Sequence, residues 1–195
     1  MTEFLLDIRN VSDVELSLWY AQMDQARQEK CKLYRDDRAK KLCIAADHLI
    51  RTALAKELKI SPKEVEICLS PDGKPYCEGN PLYFSYSHCD PYVAAVISQN
   101  PVGIDIEKVR AIRGKGERIC TEEELKYLNG AEDDSESHRR FIEIWTKKEA
   151  IFKIEGRLPR KDKEIETLTP KNHVILTTKT VGEYILTVAE QSNMI

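Results

Sequence analysis

Hydrophobic and polar residues follow two periods along this chain, and the switches between them outline its elements. Glu3 to Arg9 alternates as a strand. Ser12 or Asp13 can cap the helix that follows, which carries Leu16, Trp19, Tyr20 and Met23 on one face. After a charged stretch from Gln25 to Arg38, the residues Ala39, Leu42, Cys43, Ala46, Leu49, Ile50, Ala53, Leu54 and Leu58 trace the apolar stripe of a long amphipathic helix. Ser61-Pro62 opens a short turn or helix, and Val65 to Leu69 reads as a strand. Pro71-Asp72-Gly73 is a turn that presents Lys74-Pro75. Leu82 to Ser87 and Tyr92 to Ser98 form a hairpin across the turn His88 to Pro91, and Val102 to Glu107 is a third strand.

Asn100-Pro101 then separates two halves, an N-terminal subdomain of 1–101 and a C-terminal subdomain of 102–195. Beyond it, Arg110 to Gly116 reads as a basic, glycine-containing loop. Thr121 and Glu124 make a capping box that opens a short helix to Leu128. Gly130 to Ser137 reads as an acidic loop. Phe141, Ile144, Trp145, Ile151 and Phe152 recur at helical spacing, with Gly156 as a C-terminal stop. Residues 157–172 are irregular and charged. Val174 to Thr178 and Glu183 to Ala189 are strands across a tight turn at Lys179–Gly182.

Composition narrows the class. The 195 residues suffice for one large domain or two small ones, and 42% hydrophobic with 32% charged content is that of a soluble globular protein. A net charge of −3 argues against nucleic-acid binding by bulk electrostatics. No apolar run could span a bilayer, and the start MTEFLLDIRN is not a signal peptide, so a membrane role is not expected. The six cysteines form no CxxC pair and no zinc spacing, which fits thiols in a reducing cytoplasm.

The candidate chemistry lies in four places. Asp105 and Glu107 stand two residues apart on one strand face, where two acids repel unless a cation lies between them. Trp145, Glu149 and Lys153 are spaced i, i+4, i+8 along one helix face. Read alone, this is a surface Glu–Lys pair beside a buried Trp. If Glu149 faces the strand, three carboxylates can hold one hard cation with Lys153 beside it for a phosphate. Ser87-His88 either closes a turn or offers a hydroxyl and an imidazole to a phosphate. Lys74 reads as a solvated lysine, as do most cations between Lys30 and Lys41. His48, His138 and His173 have no metal-ligand spacing.

GIDIE at 103–107, WTKKEAIFK at 145–153, and YFSYSH at 83–88 preceded by GKP at 73–75 resemble, in this order and at these distances, the signature of the 4′-phosphopantetheinyl transferases. The resemblance runs from about Lys30 to about Gly156, and the N-terminal half is similar to the larger, pseudo-dimeric type of that family. It implies an α+β fold of two similar subdomains, each a small mostly antiparallel sheet packed with helices. The active site would lie in the cleft between them, in a monomer. It implies transfer of 4′-phosphopantetheine from coenzyme A to a serine of an acyl or peptidyl carrier protein, releasing adenosine 3′,5′-bisphosphate. Asp105, Glu107 and Glu149 would bind Mg²⁺, and Glu149 would be the general base. Lys153 would hold phosphoryl oxygens, Ser87 and His88 would meet coenzyme A phosphates, and Lys74 the nucleotide end. One departure is the missing Arg in the helix before Asp47 to Arg51, for which Lys40 or Lys41 would substitute without the guanidinium fork. The alternatives are another Mg²⁺-dependent phosphotransferase, ranked lower because there is no P-loop, and a non-catalytic binding protein on the same fold.

Overall fold

The computed structural model of the chain describes residues 1–71, 73–111, 116–155, 165–170 and 173–192. In order, the elements are β1 (Thr2–Asp7), α1 (Asp13–Gln22), α2 (Gln25–Lys32), α3 (Asp37–Leu58), β2 (Ile67–Leu69), β3 (Pro75–Cys77), β4 (Tyr83–Cys89) and β5 (Tyr92–Ser98). Then come β6 (Val102–Lys108), α4 (Gly116–Ile119), α5 (Glu122–Asn129), α6 (Asp134–Glu155), β7 (Val174–Val181) and β8 (Tyr184–Gln191). Every strand pair is antiparallel: one sheet runs β1-β5-β4, another β6-β8-β7, and β2 pairs with β3. This is an α+β architecture of small antiparallel sheets and helices.

The apolar stripe of α3 builds the first core layer, with Ile50, Ala53 and Leu54 against Phe84, Ala95 and Ile97. On the other face of β5, Ala94 and Val96 meet Ile104 and Ile106 of β6 and Leu186 and Val188 of β8. The opposite face of β8 is covered by α6: Ile185 lies with Phe141 and Ile144, and Ala189 with Ala150 and Ile151. The central strands β5 and β8 are therefore buried on both faces, which is why they read as continuous apolar runs. Each large side chain so buried contributes about 1.5–3 kcal/mol.

The expected elements form, with differences that have local causes. Ser12 caps α1 in a capping box, and Thr121 does the same for α5. The charged stretch after Met23 contains α2, whose N-cap Asp24 accepts from Arg27 N at 2.8 Å. The acidic segment read as a loop to Ser137 is helical from Asp134. Asp133 Oδ1 caps Glu136 N at 2.8 Å, and Glu136 pairs with Arg140 one turn later at 2.6 Å. β3 was not expected, and β7 and β8 extend to a tighter turn in which Gly182 takes φ +58. The expected stop at Gly156, the loop residues 112–115 and most of 157–172 lie outside the described residues.

Gly103 fixes how closely α6 can lie on β6. A Cβ built there would stand 1.9 Å from the backbone oxygen of Ala150 and 3.0 Å from Lys153 Cβ. Gly103→Ala is expected to push α6 off β6, lowering stability by at least about 1–3 kcal/mol. Urea unfolding checks this, and an unchanged midpoint would contradict the packing.

His48 stacks on Trp19 with ring centroids 3.9 Å apart, and burial holds its pKa below the ordinary 6.5 despite nearby Asp47 and Glu15. The unfolded chain therefore binds this proton more readily. The stability His48 contributes is complete above about pH 6.5 and is lost as pH falls below that value. Thermal midpoints at pH 7.5 and 5.5 should show a drop that is smaller in His48→Phe, which keeps the stack without the titration.

Candidate active site

The site is built where two sheet edges face α6. Alternation along β6 turns Ile104 and Ile106 toward β5 and places Gly103, Asp105 and Glu107 on the α6 side. Asp105 is 5% exposed. Its Oδ1 accepts from Lys153 Nζ and from Ser87 Oγ, both at 2.8 Å. Lys153 Nζ also donates to the Ile104 carbonyl at 2.9 Å. Ser85 Oγ accepts from Ile104 N at 3.2 Å, and Cys89 Sγ stands 3.8 Å from Glu107 Oε2. Thus Ser85, Ser87 and Cys89, which share one face of β4, meet Ile104, Asp105 and Glu107 of β6, the first at its backbone N and the other two at their side chains.

Asp105 Oδ2 is buried and has no hydrogen-bond partner among the described residues. A carboxylate oxygen in that position is costly unless a cation reaches it. The Glu107 carboxyl is pushed above the usual range by burial and then by the charge of Asp105, against Arg110, Cys89 and the indole of Trp145. These oxygens are hard donors that suit Mg²⁺. Among the described residues, no three His, Cys, Asp or Glu side chains are drawn together closely enough to enclose a metal. Glu149 is half-buried on α6, one turn before Lys153.

His88 lies near the end of β4 and is exposed. The protein atoms around its ring lower its pKa, and the charges of Lys153 and Lys30 act in the same direction against Asp105. The lowered pKa favours the neutral imidazole, a hydrogen-bonding group, over the cation. Lys74 Nζ donates to the Ile154 carbonyl at 2.8 Å, so it sits at the C-terminal end of α6, and burial lowers its pKa. Lys41 is paired with Asp13 at 2.7 Å. Among the described residues, no hydrogen bond or ion pair joins the side chain of Lys40 or Lys41 to the Asp105 cluster. The sequence reading singled out neither Lys30 nor Arg38. The charge of Lys30 is the smallest of the effects that bear on the His88 pKa, and Arg38 Nε holds Asp90 Oδ2 at 2.7 Å at the end of the same hairpin. Both lie in the charged run taken as a solvated face.

Lys148, the residue before Glu149 on α6, turns the other way. It is 0% exposed and pairs with the fully buried Glu124 at 2.8 Å, while Glu124 also accepts from Thr167 Oγ1 at 2.7 Å. The pair locks α6 to α5 and sets which face of α6 meets β6. Glu124→Gln is expected to cost about 3–5 kcal/mol by leaving the Lys148 charge without this partner. Adding Lys148→Met should return part of that in denaturant unfolding, and two additive losses would count against the pair.

An α+β protein with an acidic strand face closed by a lysine-bearing helix is thus in view. Residues 101–189 match the family model described as the 4′-phosphopantetheinyl transferase superfamily. The similarity reaches into the N-terminal half. A 4′-phosphopantetheinyl transferase of Bacillus subtilis is 27% identical over 151 residues, 76% of this chain and 67% of the relative. The 4′-phosphopantetheinyl transferase Sfp of Bacillus subtilis strain 168 is 25% identical over the same shares. The 4′-phosphopantetheinyl transferase gsp of Aneurinibacillus migulanus is 34% identical over 110 residues, 56% of this chain and 46% of the relative. The chain therefore spans about two thirds of the length of the first two relatives and about half of the third.

Proposed function

We propose that this chain transfers 4′-phosphopantetheine from coenzyme A to a serine hydroxyl of an acyl or peptidyl carrier protein and releases adenosine 3′,5′-bisphosphate. The observation that carries this reading is Asp105: buried, paired through one oxygen with Ser87 and Lys153, and with the other oxygen unpartnered. Asp105 and Glu107, with Glu149 from α6, would hold Mg²⁺, which when bound neutralises phosphate charge and improves the leaving group. Lys153 stabilises phosphoryl oxygens as their charge shifts. Glu149 takes the serine proton, directly or through water. Ser87 and His88 meet coenzyme A phosphates, and Lys74 serves the nucleotide end. The working unit is a cytoplasmic monomer whose halves, 1–101 and 102–195, form the two walls of one cleft. No helix among the described residues is long and apolar enough to cross a membrane.

The test is to incubate an apo carrier protein with coenzyme A and Mg²⁺ and weigh the product. A gain of one phosphopantetheine supports the reading. Cleavage of coenzyme A without that adduct points to another phosphotransfer, and no reaction points to a binding protein.

A further inference from the structure

Cys31 of α2 and Cys43 of α3 lie twelve positions apart in sequence, with their Sγ atoms 2.7 Å apart. Both side chains are buried, in a cluster with Leu16, Met23 and Ile44. A disulfide needs its sulfurs at about 2.05 Å, so only a small shift separates the two thiols from a bond. All six cysteines are reduced in this structure. We propose that Cys31 and Cys43 form a reversible disulfide in the presence of a small peroxide, and that this bond clamps α2 to α3.

The step balances. The sulfur of one cysteine attacks hydrogen peroxide, the O–O bond breaks, and a sulfenic acid and one water result. The second sulfur attacks the sulfenic sulfur, the S–O bond breaks, and the S–S bond forms with release of a second water. Two thiols are oxidised by two electrons, and one peroxide is reduced to two waters. Burial, and then the adjoining Cys43 thiol, raise the Cys31 pKa, so little thiolate forms and the first step is slow.

The location gives the bond a consequence. α2 is short and is tied down by polar contacts, with the Gln28 amide donating to the Tyr20 and Met23 carbonyls and Arg27 paired with Asp47. The Arg27 guanidinium lies over Tyr86 of β4, and the charge of Lys30 acts on His88. A clamped α2 holds the wall that brings Arg27 beside β4. The inference stands independently of which group the site transfers.

Native protein is treated with hydrogen peroxide, quenched with catalase, alkylated with N-ethylmaleimide in urea, and read by intact mass and peptide mapping. Four of the six cysteines should be alkylated, with one cross-linked peptide joining Cys31 to Cys43. The thermal midpoint should rise by about 5 °C, reversed by dithiothreitol. Cys43→Ser, or Cys31→Ala should the first not fold, should lose both the cross-link and the rise. Six alkylated thiols, sulfinic acid at either position, or a cross-link to another cysteine overturns the pairing. A Cys31–Cys43 bond without a rise in midpoint overturns the clamp.

Discussion

Asp105→Asn is expected to lose transfer by at least about a thousandfold while the protein stays folded. Asparagine keeps the size of the side chain and an oxygen for Ser87 Oγ and Lys153 Nζ, each now at 2.8 Å. It removes the charge, and it replaces the unpartnered oxygen Oδ2 or its neighbour with an amide that repels a cation. Metal stabilisation of phosphoryl charge is worth several kcal/mol, and each 1.36 kcal/mol is tenfold in rate, which sets the expected loss. The fold should survive because the Lys153 side chain is 29% exposed and can turn its ammonium to water. Mg²⁺ should raise the thermal midpoint of the natural protein and leave that of Asp105→Asn unmoved. Near-normal transfer by the variant at low Mg²⁺ would mean that the cation is not held by Asp105.

Lys153→Ala should slow transfer on the order of a hundredfold, with coenzyme A binding weakened less. The structure adds a second effect. Lys153 is the cation on Asp105, whose side chain is only 7% exposed. Its removal leaves a buried carboxylate held by Ser87 alone among the described residues. The variant should therefore unfold at a lower temperature than the natural protein without Mg²⁺, and should recover more when Mg²⁺ is added. Calorimetry of coenzyme A binding beside single-turnover rates separates the roles. Equal losses in binding and rate would make Lys153 a ground-state anchor, and an unchanged Mg²⁺ response would break its link to Asp105.

These expectations rest on contacts of unequal legibility. The pairing of Asp105 with Glu107 on one face, and of Glu149 with Lys153 one turn apart, follows from strand and helix periods and needs no third dimension. The Ser87–Asp105 bond could not be read that way. β4 and β6 belong to different sheets and share no ladder, so no register rule connects residues 18 positions apart. Glu124 carried a local role as a capping residue, and Lys148 none. Their burial together depends on how α5 docks on α6.

By itself, the sequence determined the long helices, the main strands and the motifs that mark the family, because period, capping residues and turn chemistry are local properties. It left α2 unmarked, because a short helix of charged residues carries no apolar stripe, and it missed β3, which is only three residues long. Tertiary structure alone decided which cation reaches the Asp105 carboxylate. Lys41 is drawn away to Asp13, while Lys153 is brought onto Asp105 because Gly103 lets α6 lie against β6. The physical reason is that charge has no period: a lysine on a solvated face and a lysine on a buried carboxylate look alike until packing determines what lies within 3 Å of each.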